Sequence, residues 1–137
     1  MAYTAASFIT ALSGLSITGV TRMFAYPPET VANADLPIAY VRLPELTNER
    51  ITLGLSGDPE TLDKVQGELV VLIRADGLSM NADNFSAMTT MIDNVNSALK
   101  AAIAASAQID RWTIRQETAI VGESGFWALV ATVEASG

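Results

Sequence analysis

Hydrophobic positions change period several times along the chain, and each change marks an element. Ala5, Phe8, Leu12 and Leu15 recur at helical spacing and predict a short amphipathic helix that stops near Gly14. From Ile17 to Tyr26 the pattern alternates. Ile17, Met23 and Ala25 fall on one face and Val20, Phe24 and Tyr26 on the other, as in a strand partly covered on both sides. Ile38 to Leu43 and Ile51 to Ser56 read as two short strands of a hairpin, joined through PELTNER, whose Pro44 and Asn48 suit a turn. Gly57-Asp58-Pro59-Glu60-Thr61 carries proline where a type I turn favours it. In VQGELVVLIRA, Leu69, Val71 and Ile73 share one face and Val70 and Leu72 the other, which predicts a central strand buried on both sides, with Arg74 and Asp76 at its exit.

The strongest periodicity lies in NADNFSAMTTMIDNVNSALKAAIAAS. Phe85, Met88, Ile92, Val95, Leu99 and Ile103 step by three or four residues, so a long amphipathic helix is expected to bury that stripe. Asn81 suits its N-cap and Asp83 its positive end, and Asp93, Asn94, Asn96, Ser97 and Lys100 are expected on the solvated side. IDRWTIRQETAIV and FWALVATVEA flank Gly122-Glu123-Ser124-Gly125 as a closing antiparallel hairpin. On its first arm Trp112, Ile114 and Ile120 fall opposite Arg111, Thr113, Arg115 and Glu117. Helix, strands, long helix and hairpin together predict one α+β domain over residues 1–137, a mostly antiparallel sheet packed by one long and one short N-terminal helix.

One segment resists this pattern. YPPETVANADLPIAYVRLP, residues 26–44, holds Pro27, Pro28, Pro37 and Pro44, which fix φ, remove backbone donors and disfavour helix. An ordered proline-rich arm of this length is uncommon unless it has a role. This arm is the first clue to function.

Composition narrows the chemistry. The 137 residues include no cysteine and no histidine, which removes disulfides, thiolate nucleophiles and the usual zinc ligands. Phosphate-loop, dinucleotide and nucleophile-elbow motifs do not occur, and neither Lys64 nor Lys100 belongs to an SxxK motif. Asp58, Glu60 and Asp63 miss the alternate spacing of a calcium loop, and Asp76, Asn81 and Asp83 read better as helix-start chemistry. The chain is thus expected to be no enzyme and to use no metal or other cofactor. A net charge of −7 opposes binding to a phosphate backbone, yet suits a surface past which DNA must slide. Hydrophobic content of 50% is high for a small acidic monomer, so neighbouring subunits are expected to cover some apolar surface. There is no basic region before Arg22 and no apolar run near the ~20 residues that span a bilayer, so a cytoplasmically made protein without membrane contact is expected. Trp112 and Trp127 suit either core or interface.

PPETVANADLPIAYVRLPE resembles the Pro-Pro then Asp-Leu-Pro segment of the tail terminator (tail completion) proteins of long-tailed bacteriophages, and the predicted element order agrees with theirs. As a motif the resemblance rests on Pro27, Pro28, Asp35, Leu36 and Pro37, and it makes Tyr26, Pro27, Pro28, Asp35, Leu36 and Pro37 the candidates for a subunit-interface arm. It implies a homo-oligomeric ring, hexameric in form, that caps the tail tube and joins it to the head-tail connector, with DNA passing through the lumen unbound. The implied partners are a second copy of the chain, the tail tube protein and the connector or stopper protein. The implied place is the virion tail and neck, assembled in the host cytoplasm. Deleting residues 29–34 would then leave a folded monomer that forms no ring. Arg22, Arg42, Arg111, Arg115 and Glu117 are candidates for charge pairs between subunits. Another neck or stopper protein and a small-ligand-binding α+β domain are the competing readings.

Overall fold

Thr4 opens the first helix, α1 (Ala5–Ser13), by accepting the Ser7 N–H on its hydroxyl, and the helix buries Phe8 and Leu12 completely. The computed structural model describes residues 4–50, 61–73, 81–105, 107–122 and 124–137. After α1 the chain turns at Gly19, where φ is +91°, and enters β1 (Arg22–Phe24). The expected strand from Ile17 to Tyr26 is shortened to these three residues, because Val20 N–H bonds back to Ile17 and closes a turn where pairing would start. β2 (Ile38–Val41), β3 (Glu45–Arg50) and β4 (Thr61–Ile73) follow, then the second helix, α2 (Ala82–Ala104), and the hairpin of β5 (Ile109–Val121) and β6 (Ser124–Ser136).

Six strands form one sheet in the order β1-β2-β4-β6-β5, with β3 also pairing β4. β1 runs parallel to β2 and every other pairing is antiparallel, so the chain is α+β as the pattern predicts. PELTNER is not a turn. Its ELTNER residues are β3, paired with Thr61–Gln66 of β4, and the proposed strand Ile51–Ser56 and the turn Gly57–Glu60 lie outside the described residues. Every β3 residue is exposed, so no apolar alternation marks the strand; its partner β4 specifies it.

β2 and β3 lie in line along one side of β4. Residues 42–44 stand opposite residues 67–68 only, a bulge that throws Leu43 out to 91% exposure. Position 67 is crowded there: a Cβ would sit 2.6 Å from Phe8 Cε1 and 3.1 Å from Pro44 Cβ, so a side chain would force the Phe8 ring to shift.

Both faces of the sheet carry apolar cores. On the helix side Val65, Leu69, Val71 and Ile73 of β4 meet Phe8, Leu12, Met88, Met91, Val95 and Leu99. The buried stripe of α2 is rotated from the expected one: Met91 and Ala98 lie inside, while Phe85 and Ile103 are exposed. Both stripes have helical period, and the neighbours choose between them. Asn94 donates to the Thr18 carbonyl at 2.9 Å and Asn96 accepts the Trp112 indole N–H at 2.9 Å, so neither of these is a solvated-face residue. On the far side Ile38, Tyr40, Val70, Leu72, Ala119, Val121, Phe126, Ala128 and Val130 form a second cluster. The central strand is buried on both faces over Leu69–Ile73, as expected.

Candidate functional site

The far face of the sheet is divided across its strands. At the end nearest the β5–β6 turn it is apolar, and the proline-rich segment covers it: Leu36 is buried there, and Val31 and Phe24 pack against the cluster. Thr21 ties the segment's far end, its N–H bonding the Pro37 carbonyl at 2.9 Å and its hydroxyl donating to the Asp35 and Pro37 carbonyls. The Glu29 carbonyl approaches the turn so closely that a Cβ on Gly122, at φ +63°, would lie 3.0 Å from it. The arm thus lies on its own sheet, with Tyr26, Pro27 and Asp35 exposed and Leu36 inside. Because Val31 packs on the second core, removing residues 29–34 would uncover apolar surface within the subunit as well as any interface.

The other end of the same face is charged and uncovered by the arm. Alternation sends Glu68 to this face beside the apolar Val70 and Leu72, and two arginines converge on it. Arg42 Nη1 bonds Glu68 Oε1 at 2.9 Å, and Arg115 Nη2 bonds Glu68 Oε2 at 2.8 Å while reaching Glu117 at 3.3 Å. Partial burial disfavours the Glu68 charge, but the hydrogen bonds from Arg115 and Arg42 outweigh it and hold the carboxyl below its usual range. The bond to Glu68 likewise raises Arg115. Arg42 is also raised: its own desolvation works against the charge, and Glu68 with Tyr40 overcomes it. Toward the end of the strands Arg111 pairs with Glu134 at 2.8 Å and Lys64 with Glu49 at 2.9 Å.

Each of the sequence-proposed charge residues therefore has a partner inside the chain. Arg42, Arg115 and Glu117 belong to one network around Glu68, Arg111 belongs to a separate pair, and Arg22 lies over the Phe24 ring, 5.0 Å from its centroid. Glu68 itself escaped sequence reasoning. Its signal was a single charge on the apolar alternation of a central strand.

Among the described residues the network meets two open edges. Of the described strands β5, thirteen residues long, ends the sheet on one side and pairs only with β6, and on the other side β3 pairs only with β4. A groove on this face is lined by Glu45, Glu49, Lys64, Arg111 and Glu134, which can offer charge pairs and a backbone ladder but holds no nucleophile–base arrangement. Among the described residues no group of three or more acidic side chains is placed to hold a metal ion, and no helix is long and apolar enough to cross a membrane. Asp58, Glu60 and Asp76 lie outside those residues. No protein-family model matches the chain, and no curated protein matches it at a significant level.

Proposed function

We propose that the chain is a structural virion protein of the tail-terminator kind, a subunit of a hexameric ring that caps a phage tail tube and joins it to the head-tail connector while DNA passes through the lumen. The observation that carries this reading is a sheet whose described strands stop at both sides in edges that no other described strand covers, one of them thirteen residues long. Exposed edges template further pairing, and a monomer normally blunts them. Here β5 contains no proline and no bulge beyond its first residues. The resemblance of the proline arm supports an assembly of the tail-terminator kind. The arm leaves Tyr26 at 70% exposure on a segment tied at Thr21, where a neighbouring subunit can reach it. The net charge of −7 fits a lumen that repels DNA. No observation favours a ligand-binding domain, since Met88, Met91, Val95 and Leu99 fill the space between α2 and the sheet.

Negative-stain images of the purified protein, alone and mixed with assembled tail tubes, test the reading. Rings, or caps at tube ends, are expected. A protein that stays monomeric and ignores the tubes would refute it, and docking onto connectors instead would reassign it to the neck proteins.

A further inference from the structure

We propose that copies of the chain join head to tail through their two open edges, β5 of one copy adding to β3 of the next as antiparallel strands with Thr113 opposite Thr47. The inference rests on the ring reading for its occupant, a second copy, and on strand direction, hydrogen-bond phase and charge for its register.

Direction comes first. β3 runs antiparallel to β4, β4 to β6 and β6 to β5, so β5 and β3 point opposite ways. Two copies set side by side in the same orientation therefore meet as an antiparallel pair. Phase comes next. Asp63 and Gly137 exchange both backbone bonds, so odd β4 residues address β6 and even ones, like Glu68 bonding Arg42, address β2 and β3. Glu45, Thr47 and Glu49, opposite Gln66, Lys64 and Leu62, thus turn their backbone groups inward, and Leu46 and Asn48 turn theirs outward. On the other edge Ser136 N–H bonds Gln108, so even β6 residues address β5; Arg111, Thr113 and Arg115 bond inward, and Trp112 and Ile114 offer theirs to the outside. Pairing Leu46 with Ile114 and Asn48 with Trp112 matches outward groups to outward groups.

Charge selects this register from its neighbours. It places Glu45 opposite the partner's Arg115 and Glu49 opposite the partner's Arg111, all on the charged face, in the close, non-hydrogen-bonded positions of the ladder. A slip of one residue sets outward groups against inward ones. A slip of two either puts Glu45 against Glu117 or leaves both glutamates opposite uncharged residues. In the chosen register the existing Lys64–Glu49 and Arg111–Glu134 pairs join into one row of alternating sign across the boundary. A self-pairing of β5 about Gln116 would also match Arg115 with Glu117, but it would leave β3 open.

The chain has no cysteine, so a Thr47→Cys/Thr113→Cys variant reads the contact directly. Those positions would lie about 4.5 Å apart at Cα, within disulfide reach. Mild oxidation of the assembled protein is expected to give a ladder of covalent oligomers on a non-reducing gel, and each single-cysteine variant none beyond a trace. Glu49→Arg and Arg111→Glu are each expected to weaken association about tenfold, and the two together to restore it to within about threefold, with unchanged circular dichroism in all three. Rings that form without cross-linking, or without rescue by the double reversal, would overturn this interface and leave the ring reading standing. A product that stops at a covalent dimer in Thr113→Cys/Ala119→Cys would replace it with the β5 self-pair. Monomers under every condition, tail tubes included, would sink both.

Discussion

Replacing Gly67 with alanine tests the packing that holds the bulge and α1 against the sheet. An alanine Cβ would sit 2.6 Å from Phe8 Cε1, 3.1 Å from Phe8 Cζ and 3.1 Å from Pro44 Cβ. Carbon atoms rest about 3.5–4.0 Å apart, so the Phe8 ring has to retreat by roughly 1 Å. It has nowhere empty to go, because Phe8 is fully buried. Overpacking of this size costs about 1–3 kcal/mol, and the stiffer unfolded chain returns about 0.4–1 kcal/mol. The expected net loss is ~1–2 kcal/mol, a fall in Tm of roughly 3–8 °C for a domain of this size. Urea denaturation followed by far-UV circular dichroism measures it. The decisive comparison is a cycle with Phe8→Leu, which trims the ring atoms that collide: in that background Gly67→Ala is expected to cost close to nothing, a coupling of ~1–2 kcal/mol. An equal cost in both backgrounds, or none in the native one, would refute the account.

Glu68→Gln removes the anion between Arg42 and Arg115 and is expected to cost about 1 kcal/mol at neutral pH, discounted for the partial exposure of the partners. Because the folded Glu68 carboxyl lies below its usual range, its contribution is complete above the unfolded pKa of about 4.3 and fades as pH falls through the lower folded value. The gap in stability between the native chain and Glu68→Gln should therefore close in acid, and a constant gap from pH 7 to pH 2 would contradict the geometry. Trp112→Phe keeps a ring on the core and loses the indole bond to Asn96, so a loss of ~1 kcal/mol in chemical denaturation is expected, with little further loss on adding Asn96→Ala. Leu43→Asp and Ile120→Asp change side chains that are 91% and 75% exposed; each should leave Tm within about 2 °C of native, since surface changes stay within ~0.5 kcal/mol.

What the sequence revealed depended on whether burial left a period in it. The β4 strand, with alternating residues buried on two faces, and the long helix both stand out, as does the hairpin whose Gly122 takes the left-handed conformation. The hairpin is tighter than its Gly-rich text implied: Val121 pairs with Ser124, so the strands run through residues assigned to the loop. β3 was invisible because all of its side chains are exposed and its existence depends on a ladder to residues that follow it. Phe85 and Ile103 misled because a helix of this composition offers two apolar stripes a residue apart, and only contacts from Thr18 and Trp112 decide the rotation. Of the five residues proposed for charge pairs between subunits, Arg42 and Arg115 meet within the chain on Glu68, an anion on a strand whose surroundings read as core.

The hairpin has a consequence for the order of events in a newly made chain. β5 and β6 are neighbours in sequence and meet across a tight turn, a structure that forms in about 1–10 μs, and β3 meets β4 almost as locally, Arg50 opposite Thr61, whereas β4 reaches β6 only across separations from Ile73 with Trp127 up to Lys64 with Ser136. Each edge thus belongs to a locally formed pair of strands, and the slow step is the joining of β4 to β6 that unites the pairs. With the edges paired as proposed, a subunit halted before β4 and β6 join would carry its two edges on separate pieces, and the row it joined would end there. Growth past any subunit would then certify that its fold is complete.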